Sequence, residues 1–115
     1  MNAVPDRMPA HEETHLRILK IVSEKPDISQ RQLAARLGIS LGKTNFLIKA
    51  LLEKGLIKAG NFSRAKNKLA YLYLLTPKGV GVKLRLTRAF LIRKEVEYEA
   101  LRAEILDLKR EIKLQ

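Results

Sequence analysis

The sequence predicts a mainly α-helical fold that contains one small β-hairpin. Three observations lead to this prediction. Apolar residues recur at helical spacing in three segments between residues 13 and 55. The apolar period then becomes that of extended strands between residues 56 and 75. Beyond Val82 neither proline nor glycine interrupts the chain, which predicts one long terminal helix.

The first predicted helix covers residues 13–24. Its apolar residues lie along one stripe at helical spacing. Pro26 ends it, because the residue before a proline is disfavoured in the helical region. The stripe consists of Leu16, Ile18, Leu19, Ile21 and Val22.

Two short helices are predicted next. Ser29, followed by Gln32, matches a capping box, and the helix that it begins stops at Gly38. Ser40 then caps a third helix, which ends at Gly55 because glycine accepts the left-handed conformation of a helix end. Two helices joined by so short a turn form a helix-turn-helix. The inner face of the third helix consists of Thr44, Leu47, Ile48, Leu51 and Leu52.

A β-hairpin is predicted after Gly55, with residues 61–68 mainly as a polar connection. Leu72 and Leu74 interrupt the alternation of the return strand, which predicts that both of its sides are covered. Thr76 and Pro77 then begin the last helix, since threonine caps well and proline suits the first helical position.

The terminal helix, residues 77–114, would be about 55 Å long at about 1.5 Å per residue, which is more than one small domain can cover. Charges beside its apolar stripe favour a parallel homodimer, in which Glu97 faces Arg102 and Glu104 faces Lys109 of the partner. The alternative is that the stripe packs back onto its own domain. The predicted seam consists of Leu84, Leu91, Tyr98, Leu101, Ile105, Leu108 and Ile112, at a and d positions of a heptad.

Three regions are therefore predicted: a disordered segment over residues 1–10, a winged helix-turn-helix over 11–76 and a dimerisation helix over 77–115. A chain of 115 residues has room for one small domain and an extension. The absence of cysteine excludes disulfides and thiolate metal sites. No segment has the pattern of a signal peptide or of a membrane span, so we expect a cytoplasmic protein.

Positive charge is concentrated in the helix-turn-helix and hairpin. Residues 29–76 contain nine lysines and arginines and one glutamate, which leaves eight of the eleven net positive charges of the chain in this stretch. Clustered cations that neutralise phosphates supply most of the affinity of nucleic-acid-binding proteins. A polyanion is therefore the expected partner.

The outer face of the third helix carries side chains that can read bases. Asparagine can pair with an adenine edge, lysine can reach guanine acceptors or phosphate, and an aromatic ring can contact a thymine methyl group. Phe46 could instead pack against a neighbouring helix. The start of the second helix suits a phosphate, and the hairpin connection suits the DNA backbone or minor groove. The predicted DNA-binding residues are Ser29, Gln30, Arg31, Ser40, Lys43, Asn45, Phe46, Lys49, Arg64, Lys66 and Lys68.

Two further motifs resemble patterns found in zinc proteases and nucleotide-binding proteins. His11 and His15 match the zinc-protease pattern H-E-x-x-H, but that chemistry also needs a third ligand and a cleft, and an acidic first turn is the simpler interpretation. Residues 42–44 resemble the end of a phosphate-binding loop, yet Leu37 stands where its first glycine should be. Neither motif predicts an enzyme, a metal or another cofactor.

The order of these elements resembles the winged-helix regulators of the MarR type. The residues that carry the resemblance are SQRQLAARLGIS, KALLEKGLIKAGNF and YLLTPKG. Residues 40–79 are further similar to the small MarR-like regulators associated with exopolysaccharide genes. The resemblance implies a bacterial regulator that binds promoter DNA as a dimer, with Lys43, Asn45, Phe46 and Lys49 on its reading helix and residues 64–68 as its wing. It does not extend to the pocket in which larger MarR proteins sense phenolic ligands, and no effector is predicted.

The sequence thus predicts a transcriptional regulator that binds double-stranded DNA as a homodimer, without catalysis. A two-fold dimer would recognise an inverted repeat whose half-sites lie about one helical turn apart, or a multiple of it. The alternative is a winged-helix module that contacts protein or RNA without operator specificity. A protein-contact module would not need the cations of the third helix, whereas RNA and DNA are separated only by a binding assay.

Overall fold

The computed structural model describes residues 10–64 and 68–114, and it places side chains for residues 12–60 and 72–114. The segment predicted to be disordered therefore lies, except for Ala10, outside the described residues. Four helices and two strands follow one another along the described chain. They are α1 (Ala10–Glu24), α2 (Gln30–Leu37), α3 (Leu41–Glu53), β1 (Ile57–Arg64), β2 (Lys68–Leu75) and α4 (Pro77–Leu114). This order confirms the predicted fold class.

The helix ends lie close to the residues that the local signals predicted. Gly38 follows α2 with φ 72°, and Gly55 follows α3 with φ 73°, so both adopt the left-handed conformation for which glycine is suited. α1 begins at Ala10, earlier than predicted, and has Glu12 and Glu13 in its first turn. Acidic side chains at the N-terminal end interact favourably with the helix dipole and stabilise this first turn, which accounts for the earlier start.

One hydrophobic core joins the first three helices to the base of the hairpin. Its members on α1 and α3 belong to the predicted apolar faces of those helices, and α2 adds Leu33 and Leu37. Each buried aliphatic side chain contributes about 1.5–3 kcal/mol. The hairpin adds Ile57 and Tyr73. The most deeply buried members include Ile18, Leu19, Leu33, Ile48 and Leu51.

The two strands pair antiparallel and are longer than predicted. Their register runs from Ile57 opposite Leu75 to Arg64 opposite Lys68. The prediction that residues 61–68 form mainly a connection is therefore wrong, because backbone pairing continues through polar residues once the base of a hairpin is anchored. Leu74 is 39% exposed, so the prediction that both sides of β2 are covered is wrong at this position.

The start of α4 is fastened to the turn that follows α3. The Thr76 hydroxyl donates to the Gly55 carbonyl and accepts from the Gly79 amide at 3.0 Å, which confirms the predicted cap. Lys78 Nζ donates to the Lys54 carbonyl at 3.0 Å. Gly79 itself lies against the backbone of Leu56, where a Cβ atom would come within 1.9 Å of the carbonyl oxygen. The helix can begin here only because residue 79 has no side chain.

The first half of α4 packs on α1. Leu86 and Leu16 are buried against each other, with Val82 and Phe90 beside them. Near the end of this contact, Arg93 Nη1 lies 3.4 Å from a carboxylate oxygen of Glu13. This packing holds α4 against the domain and leaves its second half to extend away from it.

The second half of α4 has no cover from the described chain. Every residue from Lys94 to Leu114 is exposed, including the predicted seam from Tyr98 to Ile112. The alternative that this seam packs back onto its own domain is therefore wrong. Glu97 accepts hydrogen bonds from Arg93 at 3.1 Å and Lys94 at 3.3 Å, and the Lys94 bond holds the pKa of that carboxyl below its usual value. No helix in the described part of the chain has a stretch apolar enough to cross a membrane.

Candidate nucleic-acid interface

The start of α2 has the predicted capping box. The Ser29 hydroxyl accepts from the Gln32 amide, and the Gln32 side chain accepts from the Ser29 amide, both at 3.0 Å. Gln30 and Arg31 follow in the first turn, where the backbone amides have no partner within the helix. Arg31 is exposed there. This end of α2 therefore offers amides, a positive dipole end and a cation to one surface.

The turn between α2 and α3 is held from both sides. The Gly38 amide donates to the Ala34 carbonyl at 2.9 Å, and the Ser40 hydroxyl accepts from the Lys43 amide at 3.0 Å. From α1, Arg17 Nη2 reaches the Arg36 carbonyl at 3.1 Å at the end of α2. α2 and α3 therefore have a fixed mutual orientation, and Ser40 serves as a cap for α3.

α3 divides into an inner and an outer face. Thr44, Leu47, Ile48 and Leu51 are buried, as predicted. The Thr44 hydroxyl donates to the Ser40 carbonyl at 2.9 Å, so it is used inside the fold and does not serve a phosphate loop. The outer face exposes Gly42, Lys43, Phe46 and Lys49.

Phe46 stands out on this outer face because it is 69% exposed. The alternative that it packs against a neighbouring helix is therefore wrong. A large apolar ring in water on a cationic helix has surface that a partner can cover. Phe46, Lys43 and Lys49 together form the exposed part of the predicted reading surface.

Asn45 has a different environment from its neighbours. It is only partly exposed, and its Nδ2 donates to Oε1 of Gln30 at 3.2 Å. Gln30 Nε2 in turn donates to the hydroxyl of Tyr73 at 3.1 Å. The sequence analysis assigned Asn45 and Gln30 separate contacts to bases and phosphate, whereas the structure brings them together. Tyr73 was not identified from the sequence, because nothing local shows that β2 reaches the start of α2.

An open groove lies between the starts of α2 and α3. Four polar residues line it together with Leu41 and Gly42, and Asn45 lies at one side. The capped ends of both helices border this groove, so its walls have the polarity that suits an anionic backbone. Its lining consists of Ser29, Gln30, Arg31, Leu41, Gly42 and Asn45.

The wing residues are described only in part. Arg64 and Lys68 face each other across the hairpin as the last pair of its register. Their side chains, and Lys66 as a whole, lie outside the described residues. The wing contacts predicted for these three residues therefore remain predictions.

A second cationic stretch was missed in the sequence analysis. Residues 77–94 contain six lysines and arginines and no acidic residue. Lys78, Arg85 and Arg88 are exposed on the first half of α4. The positive charge of this stretch is not visible in the net charge of all residues outside 29–76, because acidic residues near both ends of the chain offset it. A count of net charge over short windows would reveal it.

The histidine motif on α1 does not form a metal centre in the described part of the chain. His15 is buried in α1, and the side chain of His11 lies outside the described residues. No group of three or more potential metal ligands occurs among the residues that the structure describes.

Comparisons with known proteins agree with this geometry. Residues 11–58 match the family of winged helix-turn-helix DNA-binding domains. The fold is a winged helix-turn-helix. This match includes α1, the helix-turn-helix and the first residues of the wing, and the described hairpin and α4 complete the arrangement. No curated protein sequence matches the chain.

Several solved structures share this winged-helix architecture. The PcaV transcriptional regulator from Streptomyces coelicolor has a TM-score of 0.65 at 19% identity, over 95% of this chain and 79% of that chain. A MarR/EmrR family transcriptional regulator from Acinetobacter has a TM-score of 0.60 at 21% identity, over 89% and 76%. Lactococcus lactis ZitR, solved in complex with DNA, has a TM-score of 0.60 at 25% identity, over 87% and 65%.

Proposed function

We propose that this winged-helix protein is a MarR-type transcriptional regulator that binds operator DNA as a homodimer in the bacterial cytoplasm. The observation that carries the proposal is the outer face of α3, where Lys43, Phe46 and Lys49 are exposed beside the capped start of α2. A cationic helix of this kind fits the major groove, and the neighbouring helix end suits the flanking phosphate. Similar structures include a MarR/EmrR family regulator and a protein crystallised with DNA.

The finer resemblance supports a proposal for the target genes. Residues 40–79, which include α3, the wing and the junction with α4, are similar to small regulators associated with exopolysaccharide genes. We therefore include exopolysaccharide genes in the proposal as targets. The proposal names no effector.

The dimer is proposed on the second half of α4. This segment has an apolar stripe, and no part of the described chain covers it. Most of the stability of a helix in a protein comes from the packing of its apolar face, so a partner helix that covers this stripe would stabilise the segment. The spacing of the stripe is that of a coiled coil, and the charges beside it favour a parallel pair. A parallel pair places both reading helices at the same end and relates them by a two-fold axis, which matches the symmetry of an inverted repeat.

The test of this function is a binding-site selection with the purified protein. DNA and RNA pools are offered separately at two salt concentrations, and the bound sequences are read. We expect an inverted repeat to be enriched from the DNA pool, with affinity falling as salt rises. Enrichment from the RNA pool alone, or no retention of any duplex at low salt, would contradict the proposal.

Single substitutions should separate base reading from backbone contact. Asn45→Ala and Lys49→Ala are expected to reduce the preference for the operator over random duplex by about 1–3 kcal/mol each, because both side chains lie on the reading helix. Lys66→Ala should weaken binding to all duplexes alike and reduce the salt slope by about one, as expected for a phosphate contact. Titrations of operator and random duplexes over a salt series measure both quantities. The assignment is wrong if all three variants behave alike.

A further inference from the structure

A chain of hydrogen bonds joins the wing to the reading helix through the first residue of α2. Tyr73 on β2 is 7% exposed, and its hydroxyl accepts from Gln30 Nε2 at 3.1 Å. Gln30 Oε1 accepts from Asn45 Nδ2 at 3.2 Å. The Tyr73 amide also donates to the Pro26 carbonyl at 3.0 Å, which ties this part of β2 to the segment before α2. Three separate elements thus meet at Gln30.

This chain has a direction. A carboxamide donates at one end and accepts at the other. Because Gln30 turns its nitrogen to Tyr73, it presents its oxygen to Asn45, and Asn45 must turn its own nitrogen toward Gln30. Rotation of the Asn45 amide by half a turn would set two carbonyl oxygens against each other. With Gln30 in the orientation that the structure shows, the Asn45 amide keeps its nitrogen toward α2.

The remaining groups of Asn45 are those that recognise adenine. One Nδ2 hydrogen and Oδ1 have no partner among the described residues. Adenine presents an acceptor at N7 and a donor at N6 in the major groove, so it can pair with both groups. Guanine presents acceptors at both N7 and O6, and a fixed amide would set its oxygen against one of them. Without the bond to Gln30, the Asn45 amide could turn its NH2 group toward both guanine acceptors, and this distinction would weaken.

We propose that Gln30, held by the Tyr73 hydroxyl, is a positioning residue that fixes the Asn45 amide and so makes α3 prefer adenine over guanine at one base pair. The proposal rests on the function proposed above, because it requires α3 to lie in the major groove. Gln30 and Tyr73 act through Asn45 in this proposal, so their substitution should alter one base preference.

The experiment measures the ratio of affinities for two operators that differ at a single base pair. That pair is first located as the position at which Asn45→Ala loses its preference. Wild-type protein is expected to bind the adenine operator about tenfold more tightly than the guanine operator. Tyr73→Phe and Gln30→Ala should each reduce this ratio to about twofold or less. Tyr73 is buried and lies outside the proposed DNA-contacting surface, so Tyr73→Phe should also leave binding to random duplex within about twofold of wild type. Thermal unfolding of each variant confirms that it is folded.

Two further variants separate positioning from a general structural role. A carboxylate only accepts hydrogen bonds, so Gln30→Glu should still receive the Asn45 N–H and keep the adenine preference. Its added negative charge should nevertheless weaken binding to every duplex. In an Asn45→Ala background, Tyr73→Phe should leave the ratio unchanged, because the side chain that it positions is gone.

The outcomes distinguish this proposal from the proposed function. The proposal is overturned if the operator is bound but Tyr73→Phe and Gln30→Ala keep the full adenine preference. It is also overturned if they weaken both operators equally, or if Asn45→Ala alters no base preference. Should wild-type protein bind no duplex, the proposed function itself would fail.

Discussion

Gly79→Ala is expected to destabilise the protein by about 3 kcal/mol or more. The new Cβ atom would lie 1.9 Å from the backbone oxygen of Leu56, which also accepts from the Thr76 amide at 3.0 Å. A backbone atom cannot rotate out of the way, so α4 must shift or separate from the turn that follows α3. Denaturant unfolding followed by circular dichroism measures the change in free energy.

Gly81→Ala is the matched control for this prediction. It makes the same chemical change in the same helix, but a Cβ atom at Gly81 meets nothing within 4 Å. Alanine favours a helix over glycine by about 0.5–1 kcal/mol, so this variant should be slightly more stable than the wild type. Similar changes in the stability of both variants would contradict the close approach of α4 to Leu56.

Ile105→Asp is expected to convert the proposed dimer into monomers. Ile105 is 43% exposed in the single chain and lies near the middle of the proposed seam. In a dimer the substitution would bury two opposed carboxylates, at a cost of about 4 kcal/mol or roughly a thousandfold in the dissociation constant. Sedimentation equilibrium over a range of concentrations measures this shift.

Leu106→Asp provides the comparison for Ile105→Asp. Leu106 is 46% exposed in the single chain, and its side chain points about 100° around the helix from Ile105, outside the seam. The same loss of an apolar side chain and gain of a charge should therefore leave the dimer intact. Dimers that persist in Ile105→Asp, or monomers formed equally by both variants, would refute the seam.

The elements predicted most accurately are those whose signals are local. Ser29 and Gln32 lie within one helical turn, so the capping box that begins α2 can be read from the sequence. The same holds for Gly38 and for Thr76, whose roles at helix ends depend on close neighbours. The length of the hairpin was missed because strand pairing depends on a partner elsewhere in the chain.

The sequence predicted which residues of the candidate site are exposed, but not the contacts between their side chains. Charge density and helical spacing identified the exposed Lys43 and Lys49, but neither pattern shows which side chains contact one another. The hydrogen-bonded link from Asn45 through Gln30 to Tyr73 depends on tertiary packing. Gly79 is a similar case. The sequence does not show that a side chain at position 79 would clash, because the clash arises only where α4 approaches the backbone of Leu56.

The direct junction between wing and terminal helix has a mechanical consequence. β2 ends at Leu75 and α4 begins at Pro77, so Thr76 alone separates them. In a dimer joined through α4, the two DNA-binding domains would be held at a fixed distance and orientation relative to each other. One base pair inserted between the half-sites moves them apart by about 3.4 Å and rotates them by about 35°. Such a protein would gauge distance along DNA as well as sequence.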